Sequence, residues 1–207
     1  MLRIILLLFW LQDLQLRSLA WWGWSRILRA FAICVYIRFD PGPHWWLVET
    51  ANALLFASYA LTWCGAREFA GRNPLLVPLL TAAGLWFIAQ AGFLAFGTVT
   101  AHSLTSAALV TAFLWLAASE LTRGSLRGLR LRWPAVLILF GYGAIFLVEA
   151  RSIHWVSSYH LFYGATLLSR WALLGDICAI FVLFGMAKEH AECSARRKMA
   201  LSIGSVS

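Results

Sequence analysis

Apolar residues run along this chain in long stretches, broken by short polar and basic connections. A helix that crosses a bilayer needs roughly 20 such residues. Seven stretches reach or approach that length, at about 2–12, 18–38, 45–64, 75–96, 100–120, 133–149 and 161–187. The first is too short to span fully, so it either crosses partway or begins upstream of Met1. The second is interrupted by Arg26 and Arg29, and the third follows the turn Asp40-Pro41-Gly42-Pro43. No connection is long enough to be a separate domain, and there is no internal repeat or low-complexity segment. The pattern predicts an all-α protein: a polytopic transmembrane helical bundle of about seven helices, with the membrane domain over residues 1–187.

Composition supports that reading. Of the 207 residues, 61% are hydrophobic and 13% charged, and the mean hydropathy is +0.75. A soluble domain is about half apolar and about a quarter charged. The surplus apolar surface cannot be hidden in one small core and must face lipid, which makes the bilayer the expected partner. The 12 tryptophans fit an interfacial belt: Trp45, Trp46, Trp155 and Tyr159 on one side, Trp21, Trp22, Trp24 and Trp133 on the other. Arg3, the run Ile4–Leu11 and the small residues around Ala20 resemble a secretory leader. Asp13 and Arg17 interrupt it before any cleavage site, so a short first helix is the better reading.

The net charge of +8 would point to nucleic acid in a soluble protein. Here the basic residues punctuate apolar segments, and no basic, aromatic-interleaved face lies outside the membrane, so no nucleic-acid partner is expected. Their distribution sets the orientation instead. Arg17, then Arg67 and Arg72, then Arg123, Arg127, Arg130 and Arg132, then Lys188, Arg196, Arg197 and Lys198 fall in alternate connections that share one side. The other side holds Arg3, Arg38 and Arg151. This asymmetry predicts a multi-pass protein of the bacterial inner membrane with its C-terminus in the cytoplasm.

Residues 185–201 continue the last segment as a charged helix that leaves the bilayer, with Glu192 and Arg196 at supportive helical spacing. It reads equally as a connector to an output domain or as a basic tail on anionic lipid. Residues 188–207 form a cytoplasmic helical stub where an output domain would begin. Cys34, Cys64, Cys178 and Cys193 have no metal-type spacing, and three of them fall in apolar segments. Neither a disulfide framework, a zinc site nor a cofactor is expected.

Four stretches carry a resemblance. They are Leu11-Gln12-Asp13-Leu14-Gln15-Leu16-Arg17-Ser18-Leu19 with Trp21-Trp22; Ala51-Asn52-Ala53-Leu54-Leu55 leading to Trp63-Cys64-Gly65-Ala66-Arg67-Glu68-Phe69-Ala70-Gly71-Arg72; Glu120-Leu121 with a basic loop into Arg132-Trp133-Pro134-Ala135; and Met186-Ala187-Lys188-Glu189-His190-Ala191-Glu192. On these, nearly the whole chain resembles the N-terminal membrane-sensor region of bacterial diguanylate cyclases, in which several membrane helices precede a GGDEF domain. The motifs are loose patterns at helix ends and loops rather than a catalytic fingerprint. Family members continue past Ala200-Leu201 into an Asp-Pro-Leu-Thr-Gly-like start and the cyclase; here the residues are Ser202-Ile203-Gly204-Ser205-Val206-Ser207. The resemblance therefore implies a sensor region truncated before its GGDEF domain, with no guanylate-binding or metal-binding residue to carry over.

Two sets of residues are candidates for function. Arg26, Arg29, Arg170 and Asp176 lie deep in apolar segments, where a charge costs about 2.5–3.5 kcal/mol on insertion scales and needs a partner. Asp176 with Arg26 or Arg29 is the expected ion pair. A structural pair or snorkelling arginines is the simpler account, because nothing else polar converges there. The second set is a periplasmic rim of His44, His102, His154 and His160 with Asp40, Glu49 and Glu149. Such a rim would bind a divalent metal or sense pH near 6.5, but four separate loops must converge, and plain interfacial placement is the simpler account. Gly141, Gly143 and the alanine-rich fourth and fifth segments suggest close helix packing. A homodimer through the membrane helices and the 185–201 helix is left open.

No phosphate loop, triad or paired carboxylate is present, so no catalytic residue and no enzyme activity are expected. The leading expectation is a membrane-embedded signal-input module. The alternatives are a small multi-pass transporter or channel, which would need a polar pathway and repeat symmetry, or a nonfunctional remnant.

Overall fold

A computed structural model of the chain describes residues 17–38, 45–74, 77–96, 99–123, 129–152 and 161–204. The described residues form helices and connecting turns, with no strand among them. There are six helices: α1 (Arg17–Arg38), α2 (Trp45–Phe69), α3 (Val77–Phe96), α4 (Val99–Thr122), α5 (Arg132–Ser152) and α6 (Leu161–Gly204). The fold is all-α, as the sequence pattern predicts. The short first segment at about 2–12 lies outside the described residues.

α2 is the organising element, packing against α1, α3 and α4; α4 in turn packs against α5, and α5 against α6. Small residues set these spacings. Ala51, Ala60, Ala66, Ala117 and Ala118 are fully or almost fully buried, which lets neighbouring backbones approach closely. At Gly65 of α2, a Cβ would sit 2.5 Å from the indole of Trp22 on α1. Only glycine admits that ring, which is buried and donates its N–H to the Thr62 carbonyl at 3.2 Å. Trp22 therefore belongs to the core rather than to an interfacial belt, whereas Trp24 of the same helix is exposed. Gly143 of α5 lies against Trp115 of α4, while Gly141 faces open space.

The helix ends are chemically specified. α2 closes with Gly71 at φ +77°: the Gly71 N–H donates to the Glu68 carbonyl and the Arg72 N–H to the Arg67 carbonyl, both at 2.9 Å. This is a Schellman cap, whose left-handed residue is usually glycine. It turns the chain back so that Arg67 and Arg72 lie at the same level. α5 starts at Arg132-Trp133-Pro134, with proline in the first turn, where its missing N–H costs no intrahelical bond. α6 contains 44 residues, roughly 65 Å of helix at about 1.5 Å per residue. The expected seventh segment and the charged 185–201 extension are thus one unbroken helix.

Large apolar side chains point outward on these helices: Phe31 on α1, Phe87 and Ile88 on α3, Leu137 and Val148 on α5, and Phe181 on α6 are all at least half exposed. Ser25, Arg26, Arg29, Ser58, Thr62, Thr111, Glu120 and Asp176 are buried. These polar and charged side chains lie within an otherwise apolar core, while large apolar side chains also face outward. Among the described residues, Leu104–Thr122 within α4 is long and apolar enough to cross a membrane, with 19 residues at mean hydropathy 1.5; Arg132–Val148 is a shorter apolar helix.

Candidate functional site

Buried charge converges at two levels of the bundle. The deeper level is built on α1, where Arg26 and Arg29, three residues apart, share one helix face. Oδ1 of Asp176 on α6 forms an ion pair with Nη1 of each guanidinium and accepts a hydrogen bond from that of Arg29. All three residues are under a tenth exposed.

Hydroxyls and rings from neighbouring helices complete this cluster. Arg29 Nε donates to Ser58 Oγ at 3.2 Å, and its guanidinium lies 4.0 Å from the centroid of the Tyr59 ring. The hydroxyls of Tyr59 and Tyr142 are 3.3 Å apart. Ser25 Oγ donates to the Ser58 carbonyl at 2.7 Å and lies 2.8 Å from Thr62 Oγ1. Polar groups from α1, α2, α5 and α6 therefore meet where the sequence suggested that nothing else polar would. A buried charge survives only with such partners, and removing one partner leaves the other uncompensated.

The second level is the end of the bundle at which α2 and α4 finish and α5 begins. Glu120, buried in the last turn of α4, receives Arg67 at 3.1 Å, Arg72 at 3.2 Å and Arg123 at 3.3 Å. A carboxylate near a helix C-terminus opposes the helix dipole, and the surrounding arginines offset that cost. Arg132 Nη2 donates to the Thr122 carbonyl and so caps α4. Glu189 of α6 accepts the backbone N–H groups of Arg130 at 2.8 Å and Leu131 at 3.2 Å. It thereby places a negative charge at the N-terminus of α5, where the dipole favours it. The Trp21 indole donates to Glu68 Oε2. Phe69 packs between Trp22 and His190, with ring centroids at 5.6 and 5.4 Å.

Residues from each of the four stretches that carry the resemblance lie in this junction. The first supplies Trp21 and Trp22, the second Arg67, Glu68, Phe69 and Arg72, the third Glu120 and Arg132, and the fourth Glu189 and His190. Between α1 and the Schellman turn lies a cavity of about 380 Å³, lined by Arg17, Trp21, Glu68, Gly71, Arg72, Asn73 and Pro74.

The expected rim is only partly described. Asp40, His44, His154 and His160 lie outside the described residues; His102 and Glu149 fall on α4 and α5, and Arg170 on α6, but their side chains are likewise outside them. Glu49 is described, and its Oε2 accepts from Trp86 Nε1 at 2.9 Å and Asn52 Nδ2 at 3.2 Å. The Glu192 and Arg196 side chains, at helical spacing, form no ion pair among the described residues.

The sequence pattern marks Glu120 and Glu68 only within a resemblance, and Glu189 also within the charged 185–201 extension, and gives none of them a role. One signal was present: each is a lone carboxylate near the end of an apolar segment, on the side where the basic connections gather. Glu49, Glu68, Glu120, Asp176 and Glu189 are each engaged by N–H donors from a tryptophan, an arginine or the backbone, an arrangement that positions helices. Comparison of the chain with protein-family models, curated proteins and solved structures gives no match.

Proposed function

We propose that the chain is a membrane-embedded signal-input module of the kind that precedes diguanylate cyclase domains. In this reading it is multi-pass in the bacterial inner membrane, its C-terminus is in the cytoplasm, and it has no catalysis of its own. The observation that carries the proposal is the attachment of α6. Asp176 ties that helix to α1 in the interior, and Glu189 ties it to the start of α5 at the junction. The two ties are roughly 20 Å apart along a helix rising about 1.5 Å per residue. Beyond them α6 runs on as helix to Gly204.

A helix held at two levels by directional polar contacts has discrete ways of sitting in its bundle. A cue that favours one packing over another would tilt or rotate its far end, and that motion is the output. The outward-facing apolar side chains support the membrane placement. The arginines gathered around Glu120 support an inner-side position for the junction, because basic connections are retained there.

The test is a chimaera in which a GGDEF domain is joined after Leu201 and cyclic dinucleotide output is measured in membranes. Asp176→Asn and Glu189→Gln should each change the output at equal levels of inserted protein. If both chimaeras insert and fold as the parent does and give the parent's output, α6 does not transmit.

A further inference from the structure

We infer that the cavity between α1 and the Schellman turn binds a phosphate-bearing headgroup that also carries an ammonium, the chemistry of phosphoethanolamine. The inference rests on the membrane reading only for its depth, since that reading puts the cavity at the level of the inner headgroups. Its volume of about 380 Å³ suits a small polar group, as ligand sites span roughly 300–1,000 Å³.

The cavity lining carries both signs of charge. Arg17 and Arg72 supply guanidiniums. Arg17 is exposed and has no acidic partner among the described residues. Arg72 shares Glu120 with Arg67 and Arg123, and its side chain is 47% exposed, so it keeps donors for a further acceptor. Guanidiniums are the side chains best matched to phosphate oxygens. Glu68 is part of the same lining. Its Oε2 takes the Trp21 indole N–H, which fixes the carboxylate and leaves Oε1 for another donor. Trp21 itself lines the cavity, and an indole is the aromatic side chain that best attracts an ammonium. A plain phosphate would meet Glu68 as a like charge, and a plain amine would meet Arg17 and Arg72 as like charges. A group with both signs finds a counter-charge for each of them.

The test uses the purified full chain in micelles, with binding read by native mass spectrometry. The probes are short-chain phosphatidylethanolamine, short-chain phosphatidylglycerol and free phosphoethanolamine. The ethanolamine lipid should bind about tenfold tighter than the glycerol lipid, the size of one charge-assisted contact. Glu68→Gln keeps an acceptor for Trp21 but should remove that preference. Arg17→Gln, at an exposed position, should weaken both lipids about tenfold. Displacement of bound lipid by equimolar free phosphoethanolamine would support the same site with a soluble source, whereas resistance to it would support a membrane source. Equal binding of the two lipids to the parent chain would overturn the inference, as would a preference that neither variant alters. If the chain proves soluble without detergent, the membrane reading fails separately, and titration with free phosphoethanolamine in buffer still decides the cavity.

Discussion

Asp176 on α6 and Arg29 on α1 meet in the interior of the bundle although they are 147 positions apart in the chain. Arg26 shares the same carboxylate oxygen, so one negative charge serves two buried guanidiniums. Asp176→Asn removes that charge and leaves the Arg29 guanidinium facing Ser58 Oγ and the Tyr59 ring. The expected cost is about 3–5 kcal/mol, the range for breaking a buried pair from one side. It should appear as a lower thermal midpoint of the chain in micelles. Adding Arg29→Gln to Asp176→Asn should recover part of the loss, because that guanidinium is then no longer left buried without its carboxylate. An unchanged midpoint in the single variant would mean that the arginines are solvated rather than paired.

The Glu189 contact is weaker and more local. Its carboxylate accepts two backbone N–H groups at the start of α5, and a neutral glutamine retains one acceptor. Glu189→Gln should therefore cost about 1–2 kcal/mol. The change should be concentrated at the junction, with faster amide hydrogen exchange at Arg130 and Leu131 and little change in the middle of α2. Uniformly faster exchange along all the helices would show that Glu189 supports the whole fold and is no local tether.

Gly175 sets how closely α6 lies to α5. A Cβ there would be 2.7 Å from the Tyr142 ring, so Gly175→Ala forces the helix or the ring to move. Overpacking of this kind costs about 1–3 kcal/mol. Tyr142→Ala opens the space, so the double variant should lose less stability than the two single losses added together. Strict additivity of the thermal midpoints would place the two residues out of contact.

Much of the helical layout is legible in the sequence because long apolar runs are the dominant signal. The expected 18–38 and 133–149 segments correspond to α1 and α5 within a few residues. α2 runs five residues past the expected 64, through Arg67 and Glu68, because those charges find partners at the junction that a hydropathy pattern does not contain. Asp176 with Arg26 and Arg29 is a natural inference from charges set in apolar surroundings. The hydroxyls that join them are not, since Ser25, Ser58, Thr62 and Tyr59 are unremarkable within apolar helices and acquire a role only when α1 lies against α2. The Glu120 junction is hidden for a related reason: its arginines come from different connections, and only the Schellman turn at Gly71 brings Arg67 and Arg72 to one level.

The central claim, that the apolar outer faces lie in lipid and α6 emerges on the cytoplasmic side, is tested most directly by the chain's own cysteines. Cys178 and Cys193 are both exposed on α6, the first beside the Asp176 level and the second beyond Glu189. In single-cysteine variants, a water-soluble, membrane-impermeant maleimide should label Cys193 in inverted vesicles but not in intact spheroplasts, and should leave Cys178 unlabelled in both until detergent dissolves the membrane. Labelling of Cys178 as fast as Cys193 in undissolved vesicles, or labelling of Cys193 from outside the cell, would contradict the account.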